Sequence, residues 1–261
     1  MNILDNIVAV KRDHVSDCKK VFSINDFEKQ ILFKRKCVSL KERLLKDSPG
    51  IIAEFKRKSP SKGVINDKFT SAEITSAYQD AGVAAVSILT DQPFFGGTTD
   101  DLTSARINLQ IPVLRKDFII DEYQIFEAKA MGADIILIIA AILDKKKITS
   151  FSALAKSLGM EILFEIHDRE ELDKLSEDVT FIGVNNRNLK SFVVDIQQSI
   201  DLAKDIPERF MKISESGIDK IENINLLKTA GYNGFLIGEN FMKTDNPGEA
   251  CKKFISELRI K

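Results

Sequence analysis

From residue 50 onward the chain repeats one pattern: a short apolar run, a polar loop, then a longer segment of helical period. Short apolar runs bounded by turn residues read as buried strands, and apolar residues spaced three and four apart read as helices packed on them. Strands are expected at 50–56, 84–89, 112–115, 134–140, 161–165, 180–184, 211–214 and 234–237. Helices are expected near 70–81, 98–108, 121–131, 144–158, 169–175, 195–204, 219–230 and 247–258. A helix after every strand returns the chain across the sheet, so consecutive strands run parallel. Eight such units close into a (β/α)8 barrel, an α/β fold, and 261 residues match the roughly 250 that such a barrel uses.

Residues 1–48 stand outside the repeat. Ile3, Ile7 and Val8 recur at helical spacing, Ser23 or Asn25 can cap a second helix, and Ser39 can cap a third near 40–46. The expected organisation is a single domain over 1–261, with an N-terminal helical extension (1–48) packed on a barrel (49–261). The extension either covers apolar surface or roofs an active site, and the first role is the simpler.

Composition narrows the function. With 44% hydrophobic residues and only 13 Gly and 6 Pro, the chain is neither disordered nor collagen-like. Its 38 Lys and Arg are cancelled by 39 Asp and Glu, so no long-range field gathers nucleic acid or an anionic membrane. Any anion must be held by a local cluster of donors, a concentrated basic site hidden by the near-zero total. The longest apolar run, 135–143, is about half of the roughly 20 residues a membrane span needs, and reads as a strand. Charges at Asp5, Lys11, Arg12 and Asp13 argue against a signal peptide. Cys18, Cys37 and Cys251 have no metal-ligand spacing and form no disulfide framework, so a cytoplasmic protein without a metal site is expected.

Polar residues gather at strand C-termini, where α/β barrels place their chemistry. Glu54 and Lys56 share one face of the first strand, so each favours the charged form of the other; a structural ion pair is the simpler alternative. Ser59-Pro60-Ser61 offers hydroxyls to a carboxylate or phosphate. Lys116 shares parity with Leu114 and Phe118 and therefore faces inward, with a ring beyond it that can stack on a flat substrate. A second lysine beside Lys116 would disfavour its ammonium and suit it to general-acid or Schiff-base work. Glu165 ends a buried strand, where a lone carboxylate is costly unless used, and reads as a general base; Asp168 caps the next helix and His167 reads as structural.

Asn185 and Arg187 can bind hydroxyl or carboxylate oxygens, although asparagine also occupies such turns for its backbone tolerance. After strands seven and eight, Ser216-Gly217 and Gly238-Glu239 let backbone N–H groups approach an anion, at the place where barrels often bind phosphate. Glu239 would repel a phosphate with its side chain turned inward, so only its backbone is expected to take part.

Together these segments resemble indole-3-glycerol phosphate synthase, a TIM-barrel family. The resemblance rests on Ala53-Glu-Phe-Lys-Arg-Lys-Ser-Pro-Ser-Lys-Gly63, Thr90-Asp-Gln-Pro-Phe-Phe-Gly-Gly97, Pro112-Val-Leu-Arg-Lys-Asp-Phe118 and Leu163-Phe-Glu-Ile-His-Asp168. It continues in Gly183-Val-Asn-Asn-Arg-Asn-Leu189, Ser214-Glu-Ser-Gly-Ile218 and Leu236-Ile-Gly-Glu239, in family order along nearly the whole chain. It implies decarboxylating ring closure and dehydration of 1-(2-carboxyphenylamino)-1-deoxyribulose 5-phosphate, with no cofactor. By that resemblance Lys116 is the general acid and Glu165 the carboxylate that assists proton removal and dehydration. Lys56 pairs with the substrate carboxylate or is a second acid, and Glu54 and Glu215 orient lysines and sugar hydroxyls. Asn185 and Arg187 hold the reacting sugar, Phe118 and Ser216 bind substrate, and Ser59, Gly217, Gly238 and Glu239 map onto the phosphate positions. The implied partner is a small anionic sugar phosphate, with no nucleic acid or membrane, and nothing calls for more than a monomer.

Departures from the family pattern are few: Phe55, which should face away from the site, Lys58 beside Ser59, and Glu239. The rivals are another phosphate-binding barrel such as phosphoribosylanthranilate isomerase, a Schiff-base aldolase using Lys116, and a catalytically silent scaffold. The crowd of Lys and Glu disfavours the isomerase, and no catalytic position is lost as a scaffold would lose it.

Overall fold

A computed structural model describes residues 3–47, 49–188 and 191–260. Ser48, at the expected boundary, and Leu189, the last residue of the asparagine-rich motif, lie outside the described residues.

Eight parallel strands close into a barrel. They are β1 (Gly50–Phe55), β2 (Ala85–Leu89), β3 (Val113–Lys116), β4 (Ile135–Ile139), β5 (Glu161–Ile166), β6 (Phe181–Asn185), β7 (Met211–Glu215) and β8 (Gly234–Ile237). Closure comes from β1, which pairs with β8 at Gly50 and Gly234 and with β2 at Ile52 and Ala85. The period of two sorts each strand into layers. Ile51, Ala53 and Phe55 pack outward with the surrounding helices, whereas Ile52, Leu114, Leu163, Phe181 and Ile213 fill the barrel. The next inward positions towards the C-terminal end are Glu54, Lys116, Glu165, Gly183 and Glu215, so apolar layers give way to charge within one step.

Two elements differ from the sequence reading. The segment expected as a helix at 169–175 is a 3-10 turn, Glu170–Lys174. It has only Leu172 and Leu175 as apolar anchors, and a spacing of three is the period of a 3-10 turn. Asp168 accepts from Glu171 N at 3.1 Å, while Glu171 reaches back to His167 N at 2.6 Å. The apolar run 135–143 is also not all strand: β4 ends at Ile139 and Ala140–Ile142 turns. Lys174 Nζ donates to the carbonyls of Ala140 at 2.8 Å and Leu143 at 3.2 Å, which supports that bend.

The extension contains α1 (Ile3–Val21), α2 (Ile24–Glu28) and α3 (Leu40–Lys46). Ser23 and Asp26 form a capping box on α2, and Ser39 Oγ accepts from Glu42 N at the start of α3. Its two conceivable roles fall to different helices. α3 stoppers the N-terminal end, burying Leu40 and Leu44 against the inner apolar layer. A Cβ on Gly50 would lie 2.3 Å from the Leu44 side chain, so the strand has no side chain where α3 presses closest. α1 lies over the opposite end, where Ile3, Leu4 and Ile7 line the main cavity.

Buried ion pairs fix the extension at the N-terminal end. Asp134, which precedes β4, is fully buried. It accepts from Arg35 Nη2 at 2.5 Å, Val38 N at 2.7 Å, Arg106 Nη1 at 2.9 Å and Val113 N at 2.9 Å. Glu161 accepts from Ser39 Oγ at 2.5 Å and from Leu40 N at 2.8 Å, a carboxylate at the positive end of α3.

Candidate active site

A cavity of about 570 Å³ opens at the C-terminal ends of the strands. Its apolar floor includes Leu137, Ile139 and Leu236, and Phe95 and Phe118 stand on one wall. Their ring centroids are 5.9 Å apart and tilted by 36°.

At the base, three strands converge on one cation. Lys116 ends β3 and donates from Nζ to Glu165 Oε2 on β5 at 3.0 Å and to Glu215 Oε2 on β7. Asn185 Nδ2, at the end of β6, donates to the other oxygen of Glu165 at 3.2 Å. Just past the end of β1, Lys56 Nζ donates to Glu54 Oε1 at 2.6 Å. Phe55, between them, faces outward under the Arg57 guanidinium, 4.8 Å from its ring centroid.

This geometry overturns one electrostatic expectation. Lys56 is drawn to Glu54, so the close neighbours of Lys116 are carboxylates. Burial works against its ammonium, but Glu165, Glu215 and Glu54 outweigh that and push its pKa above the ordinary lysine value. Nor is the cavity a concentrated basic site. Lys56, Lys62, Lys116, Arg187 and Lys243 line it beside a similar number of carboxylates.

The two glutamates on Lys116 are unlike. Burial raises the pKa of Glu165, yet Lys116, the nearby His167 and Asn185 bring it below the ordinary value. Burial lifts Glu215 to about 7, helped by Glu165 and Glu54 and opposed by Lys116. Its Oε1 is buried with no hydrogen-bond partner among the described residues. That oxygen lies 2.2 Å from where a Cβ on Gly183 would stand, so β6 leaves room for it by having no side chain there. His167 Nε2 is 3.6 Å from Glu165 and its Nδ1 is 3.8 Å from Glu171; burial lowers its pKa, but these carboxylates raise it overall.

The other end of the cavity is built from backbone. Ser216 and Gly217 both have left-handed backbone, at φ 68° and 73°. Asn186 Nδ2 steadies the turn by donating to Ser216 O at 3.1 Å. A Cβ on Gly217 would lie 2.1 Å from Val194, and one on Gly238 would lie 2.6 Å from Glu54 Oε1. Both loops therefore come closer to their neighbours than any larger residue permits. Ser59 belongs to a two-residue antiparallel pair, Lys58–Ser59 with Gly63–Val64, and its Oγ is 3.4 Å from Ser61 Oγ. Lys58 turns away to donate to Pro93 O at 2.8 Å. Glu239 opens the short helix Glu239–Met242 and lines the cavity. It sits 3.7 Å from Lys62 and 3.7 Å from Arg187, two cations that offset its charge.

All the candidate positions thus line one cavity: Glu54, Lys56, Ser59, Lys116, Phe118, Glu165, Asn185, Arg187, Glu215, Ser216, Gly217, Gly238 and Glu239. The sequence reading missed Phe95, the cations Lys62 and Lys243, and the aliphatic roof of Ile3, Leu4 and Ile7. Phe95 had a signal: Asp91 caps the short helix Gln92–Phe95 and Gly96 ends it in left-handed conformation, which marks a built turn.

Comparison with known proteins shows the family. A family profile for indole-3-glycerol phosphate synthase matches residues 4–254. The indole-3-glycerol phosphate synthase of Bacteroides thetaiotaomicron is 45% identical, covering 99% of both chains. That of Polaromonas naphthalenivorans is 41% identical over 98% of this chain and 99% of its own. Among solved structures, 3-hexulose-6-phosphate synthase superposes with a TM-score of 0.62 at 13% identity, covering 80% of this chain and 99% of its own. At that identity the likeness is one of fold.

Proposed function

The chain belongs to the indole-3-glycerol phosphate synthase family, and from that premise we propose which side chains carry its reaction. The enzyme is a carboxy-lyase of tryptophan biosynthesis that turns 1-(2-carboxyphenylamino)-1-deoxyribulose 5-phosphate into indole-3-glycerol phosphate, carbon dioxide and water. The observation that carries our assignment of roles is the Lys116 ammonium held between Glu165 and Glu215 at the base of the cavity.

The substrate binds with its benzoate ring against Phe118 and its phosphate at the glycine loops after β7 and β8. Those loops offer backbone N–H groups from Gly217 and Gly238, with Ser59 and Ser216 hydroxyls and the Glu239 backbone beside them. Lys56 meets the ring carboxylate. Arg187 and Asn185 hold the sugar hydroxyls. Fixing both ends brings the ring carbon to the ketone, and such positioning removes much of the entropic barrier.

As the carbon–carbon bond forms, the ketone oxygen gains the electron pair and takes a proton from Lys116. Carbon dioxide then leaves, and the electron pair of its bond to the ring stays behind and neutralises the positive charge that ring closure created. Glu165 then removes a proton from the carbon beside the ring nitrogen, while the hydroxyl takes a proton from the recharged Lys116 and departs as water. Glu215, which retains a proton up to about pH 7 and is bonded to Lys116, resupplies the lysine. Glu54 holds the Lys56 side chain in place. The carboxylates around Lys116 also speak against a Schiff-base aldolase, which needs a neutral amine.

No helix among the described residues is long and apolar enough to cross a membrane. We read the enzyme as a cytoplasmic monomer acting on a free small molecule. The test of the whole reading is fluorescence detection of indole-3-glycerol phosphate formed by the purified chain. Absence of turnover, or a borohydride-trapped adduct on Lys116, would overturn it.

A further inference from the structure

Lys11 takes no part in these steps, yet it is only 4% exposed. Its ammonium lies 2.9 Å from Asp91 Oδ2 and 2.8 Å from Asp117 Oδ1. Each carboxylate also holds a loop. Asp91 Oδ1 accepts from Phe94 N at 3.0 Å and so caps the turn that ends in Phe95. Asp117 Oδ1 accepts from Phe118 N at 2.7 Å. One buried cation on α1 therefore joins the loop after β2 to the loop after β3, and each loop carries one ring of the aromatic wall. The same helix, one and two turns earlier, places Ile7 and Leu4 over the cavity.

A buried charged pair contributes little net stability, because desolvation offsets much of the attraction; what it supplies is a fixed geometry. An apolar contact could hold α1 against the barrel equally well. It could not set the separation of two loops, since it has no preferred direction. The three-way junction is thus better suited to registration than to cohesion.

We infer that Lys11 is a positioning residue for the aromatic end of the substrate: it fixes the spacing of the Phe95 and Phe118 loops and hence the slot that receives the ring. The inference rests on the reading that Phe118 faces that ring. Its signature is asymmetry, since the phosphate end of the cavity is built on loops that Lys11 does not touch.

Lys11→Met leaves two buried carboxylates without their cation and is prone to misfold, so the test uses Lys11→Arg and Asp91→Asn. Arg keeps the charge but brings a longer, planar fork that cannot occupy the same point between the two carboxylates. Asn releases only the loop after β2. In each folded variant KM for the substrate should rise about tenfold, the scale of one aromatic stacking contact, with kcat within about threefold of the parent. The inhibition constant for inorganic phosphate should stay within about twofold. An unchanged KM, a loss confined to kcat, or a KM that rises together with the phosphate constant would each overturn the inference. A parent enzyme that forms no indole-3-glycerol phosphate would instead strike the assigned function.

Discussion

Two carboxylates lie buried at opposite ends of the same barrel, and they are treated in opposite ways. Asp134, at the N-terminal end, receives four donors on its two oxygens and has no capacity left. Glu215, at the C-terminal end, shares one ammonium with Glu165 and has a buried oxygen with no partner among the described residues. An unsatisfied buried polar atom is costly and normally has a reason. The saturated carboxylate holds the extension to the barrel; the unsaturated one, its pKa raised by burial, stands at the cavity base beside Lys116. This is the division of labour expected of α/β barrels, whose C-terminal face reacts while the other stabilises.

Replacing the shared cation breaks the comparison most sharply. Lys116→Met should lower turnover by about 10³-fold or more, as loss of a general acid does, while the far-UV circular dichroism stays that of the parent. Near-normal product fluorescence from that variant would remove Lys116 from the mechanism. The mirror experiment at the other end is Asp134→Ala, which strands Arg35 and Arg106. It should cost about 3–5 kcal/mol in urea unfolding and leave kcat of the folded enzyme close to the parent. Equal losses of activity at both ends would erase the distinction.

A third test reads Glu215 through pH. Its pKa rises from 4.5 to about 7 on folding, so the folded protein keeps a proton that the unfolded chain releases across that window. Its contribution to stability is therefore whole below about 4.5 and is lost as pH rises through about 7. The fall in unfolding free energy over that range should flatten in Glu215→Gln. Decline of kcat above about pH 7 should disappear with it. The smallest expected effect lies on the α3 cap: Ser39→Ala removes both the cap and the donor to Glu161 and should cost about 2 kcal/mol in thermal unfolding without altering KM.

Much of this was legible in the residues. The alternation of apolar runs and helical segments gave eight strands, because strands buried on both sides tolerate few charges and so stand out. The charges that do occur fall at strand ends, which is why Lys116, Glu165 and Glu215 were visible as candidates. Which of them meet was not legible. The company of Lys116 depends on β3, β5 and β7 bringing their ends around one axis, and a parity rule along one strand says nothing about that. The same limit hid Lys11, whose partners come from two loops far along the chain. The turn at Glu170–Lys174 was missed for a different reason: with leucines three apart, a short α-helix and a 3-10 turn look alike in sequence.

The distances along the chain between the extension and its anchors also bear on how the molecule is made. Arg35 meets Asp134 across 99 residues, and Ser39 meets Glu161 across 122. On a ribosome the extension emerges before its docking surfaces, since Asp134 follows three barrel strands and Glu161 follows four. The extension is therefore obliged to wait, and the roof of the cavity can settle only when the strands beneath it exist.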